Sequence, residues 1–172
     1  MVNFNEKKGW WKPHPLNSKI LNEINKTIKN NHVTFGKNSI LLEKKLGKIL
    51  KVKNVILCTS GTSALYMATL ASNIATRRKV FSAVMTWSGA INGPLYAGKK
   101  IDFIDNKINS INADYEKVLN KLTKKDVLYL THLNGKCGYD RNIFNILKKR
   151  KIFVIEDASQ ALLVKDFKND YL

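Results

Sequence analysis

The sequence has little cysteine, little arginine and no long apolar run, and each scarcity excludes a class of protein. Two cysteines, Cys58 and Cys137, are too few for a disulfide framework, so we expect a protein of the reducing cytoplasm. Because no run of about 18 apolar residues occurs, we predict no membrane span. The first fifteen residues lack the apolar centre of a signal peptide.

The charge balance is strongly basic, but the kind of basic residue argues against nucleic-acid binding. Thirty basic and 13 acidic side chains give 30 − 13 = +17, which would suit a nucleic-acid partner. Only four of the thirty are arginine, the residue that phosphate and base recognition favours. Lysine, asparagine and isoleucine are abundant together, which is typical of drift in an AT-rich genome. We therefore predict a solvated basic surface.

From residue 54 onward, short apolar runs alternate with helical patterns. Predicted strands are 55–58, 79–84, 101–105, 127–133 and 152–157, and predicted helices are 62–72, 88–97, 113–122 and 140–149. Strands that are nearly continuous in apolar residues are typical of a mostly parallel sheet with helices on both faces. Residues 17–31 and 38–50 predict two earlier helices, the first capped by Asn17. The predicted fold class is α/β, with ligands at the carboxyl ends of the strands.

A turn of small residues follows the first predicted strand. It reads Thr59-Ser60-Gly61-Thr62-Ser63-Ala64 and leads into a helix. Free backbone N–H groups and the positive end of the helix dipole favour a phosphate at such a place. Ser and Thr are also common helix caps, so a purely structural turn is the alternative.

Two further strand ends carry residues that could contact a ligand. Trp87 follows the second predicted strand and could stack on a flat ring, although an aromatic plug in the core is the alternative. Asp157 closes the last strand, where it could bind a metal, act as a base or pair with a protonated ring nitrogen. Its alternative role is to cap the next helix.

Together these segments resemble the opening of the sugar-nucleotide aminotransferases, which are pyridoxal-phosphate enzymes of fold type I. The resemblance runs from about residue 17 to residue 161. Its motifs are Phe35-Gly36, Leu42-Glu43, Leu46-Gly47, Thr59-Ser60-Gly61-Thr62-Ser63-Ala64-Leu65, Met85-Thr86-Trp87, Gly98, Asp102-Phe103-Ile104-Asp105, His132-Leu133-Asn134-Gly135 and Glu156-Asp157-Ala158-Ser159-Gln160. It implies that residues 1–172 form part of a cofactor-binding large domain, with amino-terminal helices at about 17–50 and an α/β region at about 54–161.

The resemblance implies pyridoxal 5'-phosphate as cofactor and assigns its contacts, with no metal. The implied contacts are Gly61 and Thr62 at the phosphate, Trp87 against the pyridine ring, Asp157 at the ring nitrogen and Gln160 at the ring hydroxyl. Asp157 would keep the ring nitrogen protonated and the ring electron-withdrawing. His132 lies in a shared motif and is expected to be structural.

The resemblance also implies residues beyond this sequence. In the family, the lysine that binds the cofactor covalently follows the Asp157 motif by about two strands, and a small carboxyl-terminal domain completes the pocket. Lys165 and Lys168 follow Asp157 too closely. We therefore expect no catalytic residue in this chain and no turnover by this chain alone.

Smaller departures from the family pattern have two interpretations, relaxed constraint or divergence. Arg77-Arg78-Lys79 stands where the family usually has Gly-Asp-Glu, and Leu162-Leu163 follows the glutamine. Gly89 and Gly93 interrupt the helix after Trp87, at a cost of about 1 kcal/mol each relative to alanine.

For the intact parent, the resemblance implies transfer of an amino group from glutamate or glutamine to a keto sugar nucleotide. Such enzymes serve amino-sugar biosynthesis for polysaccharide, lipopolysaccharide or antibiotics, and some relatives dehydrate sugars instead. The expected partners are the nucleotide sugar and either a second copy or a complementary carboxyl-terminal chain. The alternative is a non-catalytic protein that binds pyridoxal phosphate or a nucleotide sugar, or that pairs with a full-length relative.

Overall fold

The computed structural model describes residues 15–30, 34–139 and 141–164, and the chain divides into two compact units at residues 42 and 43. Its helices are α1 (Ser18–Lys29), α2 (Lys37–Leu50), α3 (Gly61–Ala71), α4 (Ser88–Tyr96), α5 (Glu116–Leu119) and α6 (Arg141–Lys149). Its strands are β1 (Val80–Ala83), β2 (Ile101–Ile104), β3 (Val127–Thr131) and β4 (Phe153–Asp157). A 3-10 turn covers Ile74–Thr76. Among the described helices, none has the length and apolar character to cross a membrane.

The first unit contains α1 and the start of α2. Asn17 caps α1 as predicted, because its side-chain oxygen accepts the N–H of Ile20 at 3.0 Å. The amide of Asn38 donates to the hydroxyl of Thr27 at 3.1 Å and thereby links the two helices. No residue of α1 is buried within this described region. The apolar positions of α1 are therefore only about half covered.

The second unit is built on a parallel sheet with the strand order β2-β1-β3-β4. Successive residues of β3 point to opposite faces, as the period of a strand requires. Val127 and Tyr129 belong to a buried cluster with α3 and α4, whereas Leu128 and Leu130 belong to a cluster with α5 and α6. Helices therefore cover both faces, and the predicted fold class is confirmed.

The predicted strand at 55–58 is wrong, since those residues belong to none of the strands. Ile56 is 70% exposed, and the N–H of Leu57 donates to a carboxylate oxygen of Glu43 at 3.0 Å instead of to a strand. An apolar run gives strand propensity, but a strand also needs a partner backbone, which the described residues do not supply here. The predicted helix at 113–122 is likewise reduced to the short α5.

The two glycines of α4 lie where that helix packs closely against α3. A Cβ atom at Gly89 would stand 2.4 Å from the hydroxyl oxygen of Thr62. A Cβ atom at Gly93 would stand 2.6 Å from the hydroxyl oxygen of Thr69. The structure therefore favours close packing over relaxed constraint as the reason for these glycines.

The basic run before β1 also has specific partners. Arg78 donates to both carboxylate oxygens of Asp126, at 3.1 and 3.0 Å. Lys79 pairs with Asp102 at 2.6 Å. These ion pairs link the start of β1 to Asp126, which precedes β3, and to Asp102 in β2. Arg78 and Lys79, which depart from the family pattern, therefore have structural partners.

Candidate functional site

The order of the strands creates a crevice between β1 and β3. The chain leaves β1 for β2 on one side and then returns to place β3 on the other side of β1. Pairing of β1 with β2 reaches Ala83, but pairing of β1 with β3 stops at Phe81 and Leu128. The two strands therefore part at their carboxyl ends. In parallel α/β sheets this switch point is the usual place for a ligand.

A cavity of about 270 Å³ opens at this crevice. Its lining comes from the first turns of α3 and α4, the last residues of β3 and β4 and the segments that follow these strands. The lining residues are Gly61, Thr62, Leu65, Trp87, Gly89, Ala90, Thr131, His132, Leu133, Asp157, Ser159 and Gln160. All five residues that were predicted to contact a cofactor are among them. Their roles toward a cofactor stay predictions.

The start of α3 combines a structural cap with open donors. Ser60 caps the helix, because its hydroxyl accepts the N–H of Ser63 at 3.1 Å. The N–H groups of Gly61 and Thr62 make no hydrogen bond within the described residues. The capping role of the turn is therefore confirmed for Ser60. The next two amides remain available to an anion, and their contact with a phosphate stays a prediction.

Trp87 lies at the first residue before α4 and is 73% exposed. The alternative of an aromatic plug in the core is therefore wrong. Because the indole also lines the cavity, it offers an apolar surface that a flat ligand could cover.

Asp157 is only 6% exposed, and its two carboxylate oxygens have different surroundings. One oxygen, Oδ1, accepts the N–H of Ser159 at 3.0 Å and the hydroxyl of Ser159 at 2.6 Å. These bonds stabilise the turn at residues 159–163. The alternative of a helix cap is not found, because no helix follows β4 among the described residues up to Val164. The other oxygen makes no hydrogen bond within the described residues, so it remains available to a donor in the cavity.

Gln160 holds the turn that follows β3. Its side-chain oxygen accepts the N–H of Asn134 at 3.2 Å, and its backbone carbonyl accepts the N–H of Gly135 at 2.9 Å. The side-chain NH₂ group is thereby left as the donor for a ligand, with the amide orientation assigned from these bonds.

His132 is fully buried and has structural contacts. Its Nδ1 atom accepts the N–H of Gly138 at 2.9 Å, and its ring lies 5.5 Å from the ring of Tyr139. Its Nε2 atom stands 3.5 Å from a carboxylate oxygen of Glu156. These contacts support the structural role that was expected for His132.

Sequence reasoning missed Thr131, which also lines the cavity. Its hydroxyl lies 3.2 Å from the hydroxyl of Thr86, across the gap between β1 and β3. The available signal was its place at the end of a strand, immediately before the His132 motif.

No lysine among the described residues lines this cavity. Lys165 and Lys168 lie outside the described residues. Within the described ranges, no group of three or more His, Cys, Asp or Glu side chains comes together to hold a metal.

Comparison with known proteins identifies a family. The profile of the DegT/DnrJ/EryC1/StrS aminotransferase family matches residues 15–166. The UDP-4-amino-4,6-dideoxy-N-acetyl-beta-L-altrosamine transaminase of Campylobacter jejuni strain 81-176 is 32% identical over 146 residues, which are 83% of this chain and 38% of the relative.

Two solved structures share the fold. An aminotransferase from Psychrobacter cryohalolentis matches with a TM-score of 0.76 and 25% identity, over 87% of this chain and 39% of that one. The GDP-4-keto-6-deoxy-D-mannose-3-dehydratase of Escherichia coli, with bound hydrated pyridoxal phosphate, matches with a TM-score of 0.73 and 18% identity, over 89% and 40%. The chain thus spans about two fifths of the length of these proteins.

Proposed function

Since this chain belongs to the DegT/DnrJ/EryC1/StrS aminotransferase family, we propose that it binds pyridoxal 5'-phosphate as the cofactor-binding part of a sugar aminotransferase. The observation that carries the proposal is the single cavity that gathers Gly61, Thr62, Trp87, Asp157 and Gln160 from separate segments of the chain.

The chemistry of the lining fits the cofactor. The two unbonded amides at the start of α3 suit its phosphate, since both lie at the positive end of the helix. Trp87 offers an apolar surface for the ring, and the second carboxylate oxygen of Asp157 suits a protonated ring nitrogen. When bound, the cofactor supplies an electron sink. The residues of this chain bind it, orient it and hold the ring nitrogen protonated.

The reaction that we propose for the whole protein is transfer of an amino group from glutamate or glutamine to a keto sugar nucleotide. The Campylobacter relative supports a nucleotide-sugar substrate, because its own name is that of a UDP-sugar transaminase. The E. coli relative is a dehydratase of a GDP-sugar, so dehydration is the competing reaction within the same fold.

For this chain alone we propose binding without turnover. The supporting observation is the lack of a lysine in the described lining of the cavity, because covalent attachment of the cofactor needs an amine beside it. The same observation favours a second candidate, a non-catalytic protein that binds pyridoxal phosphate or a nucleotide sugar.

Two features of the second unit favour a partner chain. Among the described residues, the strand β4 lies at the edge of the sheet and pairs on one side only, with β3. The apolar segment 55–58 has the sequence of a buried strand but no strand partner among the described residues. Unpaired backbone of this kind favours pairing with further strands. We propose that a complementary carboxyl-terminal chain, or a second copy of this chain, covers them.

Pyridoxamine 5'-phosphate is the sharpest probe of the proposed site. It carries no aldehyde, so the 26 lysines of the chain cannot trap it elsewhere. We expect saturable binding that quenches tryptophan fluorescence through Trp87. Asp157→Asn should weaken the affinity about tenfold, as expected for loss of one charged hydrogen bond.

Asp105→Asn is the matched control. Asp105 follows β2 as Asp157 ends β4, but it lies outside the lining of the cavity. Its substitution should leave the affinity within about twofold. Equal weakening by both substitutions, or no binding by the wild type, would refute the cofactor site. A single lysine labelled by pyridoxal phosphate and borohydride would refute binding without covalent attachment.

A further inference from the structure

At the carboxyl end of β3, the backbone N–H of Thr131 forms no hydrogen bond with the neighbouring strand β1. Val127 donates its N–H to the carbonyl of Lys79, on the side of β1. Since N–H groups alternate in direction along a strand, the N–H of Thr131 points to the same side four residues later. By that point β1 has parted from β3, because their pairing stops at Leu128. A buried donor in this position needs another acceptor.

Tyr115 provides that acceptor. Its side chain is fully buried, and its hydroxyl accepts the N–H of Thr131 at 3.0 Å. Burial raises the pKa of Tyr115 to about 12, although the hydrogen bond from Thr131 acts in the opposite direction. The phenol therefore stays neutral at ordinary pH. It takes the place that a carbonyl of β1 would hold in a regular parallel ladder.

The hydrogen bond between Tyr115 and Thr131 links the core to the lining of the cavity. Thr131 is itself a lining residue, and its hydroxyl lies 3.2 Å from the hydroxyl of Thr86. Thr86 directly precedes Trp87, which lines the same cavity. Tyr115 thus lies behind the site, in the core, and is connected to both sides of the crevice through one hydrogen-bonded path.

We infer that Tyr115 is a positioning residue, which fixes Thr131 and the separation of β1 from β3 and thereby sets the shape of the candidate cofactor site. The inference rests on the proposed function only for the choice of ligand. The hydrogen bond to Thr131 can be tested without any ligand.

Tyr129 offers a matched control. It is the other fully buried tyrosine of the sheet region, and its hydroxyl is also hydrogen-bonded, to the hydroxyl of Thr69 in α3. Burial raises its pKa as well, against a smaller opposing effect of the Thr69 bond. Neither Tyr129 nor Thr69 lines the cavity. Tyr129→Phe therefore removes a buried hydroxyl of the same kind from a residue outside the lining of the cavity.

The test compares Tyr115→Phe and Tyr129→Phe in the full 172-residue chain. Two quantities are measured, the Kd for pyridoxamine 5'-phosphate and the hydrogen-exchange rate of the Thr131 amide. For Tyr115→Phe we expect a Kd about tenfold higher, the equivalent of one lost hydrogen bond. The exchange rate of the Thr131 amide should rise by at least about tenfold, because that amide loses its acceptor. Tyr129→Phe should change neither quantity more than about twofold.

Equal effects of the two substitutions on the Kd, or a Thr131 amide that exchanges no faster in Tyr115→Phe, would overturn the inference. If the wild type binds no pyridoxamine phosphate, the proposed function fails, and the exchange rate alone then decides whether Tyr115 holds Thr131. If Tyr115→Phe does not fold, Thr86→Val is used instead, because it removes the hydrogen bond between the hydroxyls of Thr86 and Thr131. It should raise the Kd in the same direction, and an unchanged Kd would count against the path.

Discussion

The two units of this chain contain the same kinds of aliphatic residue but bury them very differently. In α1, the apolar positions Ile20, Leu21, Ile24 and Ile28 lie on one face, and each is 42–56% exposed. In β3, all five residues are buried between two layers of helices. In the sequence, α1 shows an apolar face and β3 a nearly continuous apolar run.

The difference shows what a hydrophobic pattern can and cannot determine. A pattern specifies which face of a helix or strand is apolar, because that depends only on the spacing of residues. Whether that face is covered depends on elements elsewhere in the chain. The second unit supplies helices for both faces of its sheet, whereas the described residues of the first unit leave the apolar face of α1 about half exposed.

The largest effect is expected from a truncation inside the second unit. Leu128 is fully buried in the cluster that α5 and α6 cover. Leu128→Ala should lower the free energy of unfolding by about 3 kcal/mol, since it removes buried methyl groups and leaves a cavity. Chemical denaturation followed by circular dichroism measures this loss. A loss below about 1 kcal/mol would mean that the sheet is not the stable core.

A smaller effect is expected at the polar edge of the same core. Burial acts to raise the pKa of Asp126, but the hydrogen bonds from Arg78 and Thr123 outweigh it, so the pKa is lowered on folding. Asp126→Asn should cost about 2 kcal/mol of stability near neutral pH, because it removes a charged acceptor of several hydrogen bonds.

The pH dependence of this contribution has a definite sign. Because the folded state lowers the pKa of Asp126, its contribution is fully present above the unfolded pKa of about 3.9 and is lost as the pH falls through the folded value. The wild type should therefore lose stability more steeply than Asp126→Asn below about pH 4. Parallel curves for the two proteins in acid would contradict this account of Asp126.

The smallest effect is expected in the first unit. Leu21→Ala makes the same truncation as Leu128→Ala, but on the exposed face of α1. We expect a loss of about 1 kcal/mol or less, because the Leu21 side chain is 45% exposed and loses less buried apolar surface than Leu128 does. The pair of leucine variants, measured under one condition, tests the comparison directly. A cost of about 2 kcal/mol or more for Leu21→Ala would show that the α1 face is covered.

Most of the sheet could be predicted because its strands are short apolar runs with helical patterns between them. The exception is 55–58, whose apolar residues look like those of β3 but do not belong to a strand. Propensity is a local property, whereas strand pairing needs a second backbone. The reason for Gly89 and Gly93 could not be predicted from the sequence either. Only the packing of α4 against α3 shows that a side chain would not fit at these positions.

In the candidate site, too, some residues could be predicted from the sequence and others could not. Gly61, Trp87 and Asp157 could be placed from the sequence, because each follows or begins an element at the expected edge of the sheet. Tyr115 could not, since its hydrogen bond reaches Thr131, sixteen positions away, through a gap in the sheet. The sequence presented that residue only as one apolar position in a predicted helix.

The sequence by itself determined the fold class, the order of the strand ends and the residue types that meet there. Those features follow from local patterns, and the turn chemistry of each segment is written within a few neighbouring residues. Only the tertiary structure decided where β1 parts from β3, which carboxylate oxygen of Asp157 remains open and which tyrosine supports the crevice. These depend on distances between segments that are far apart in the chain, and packing alone sets those distances.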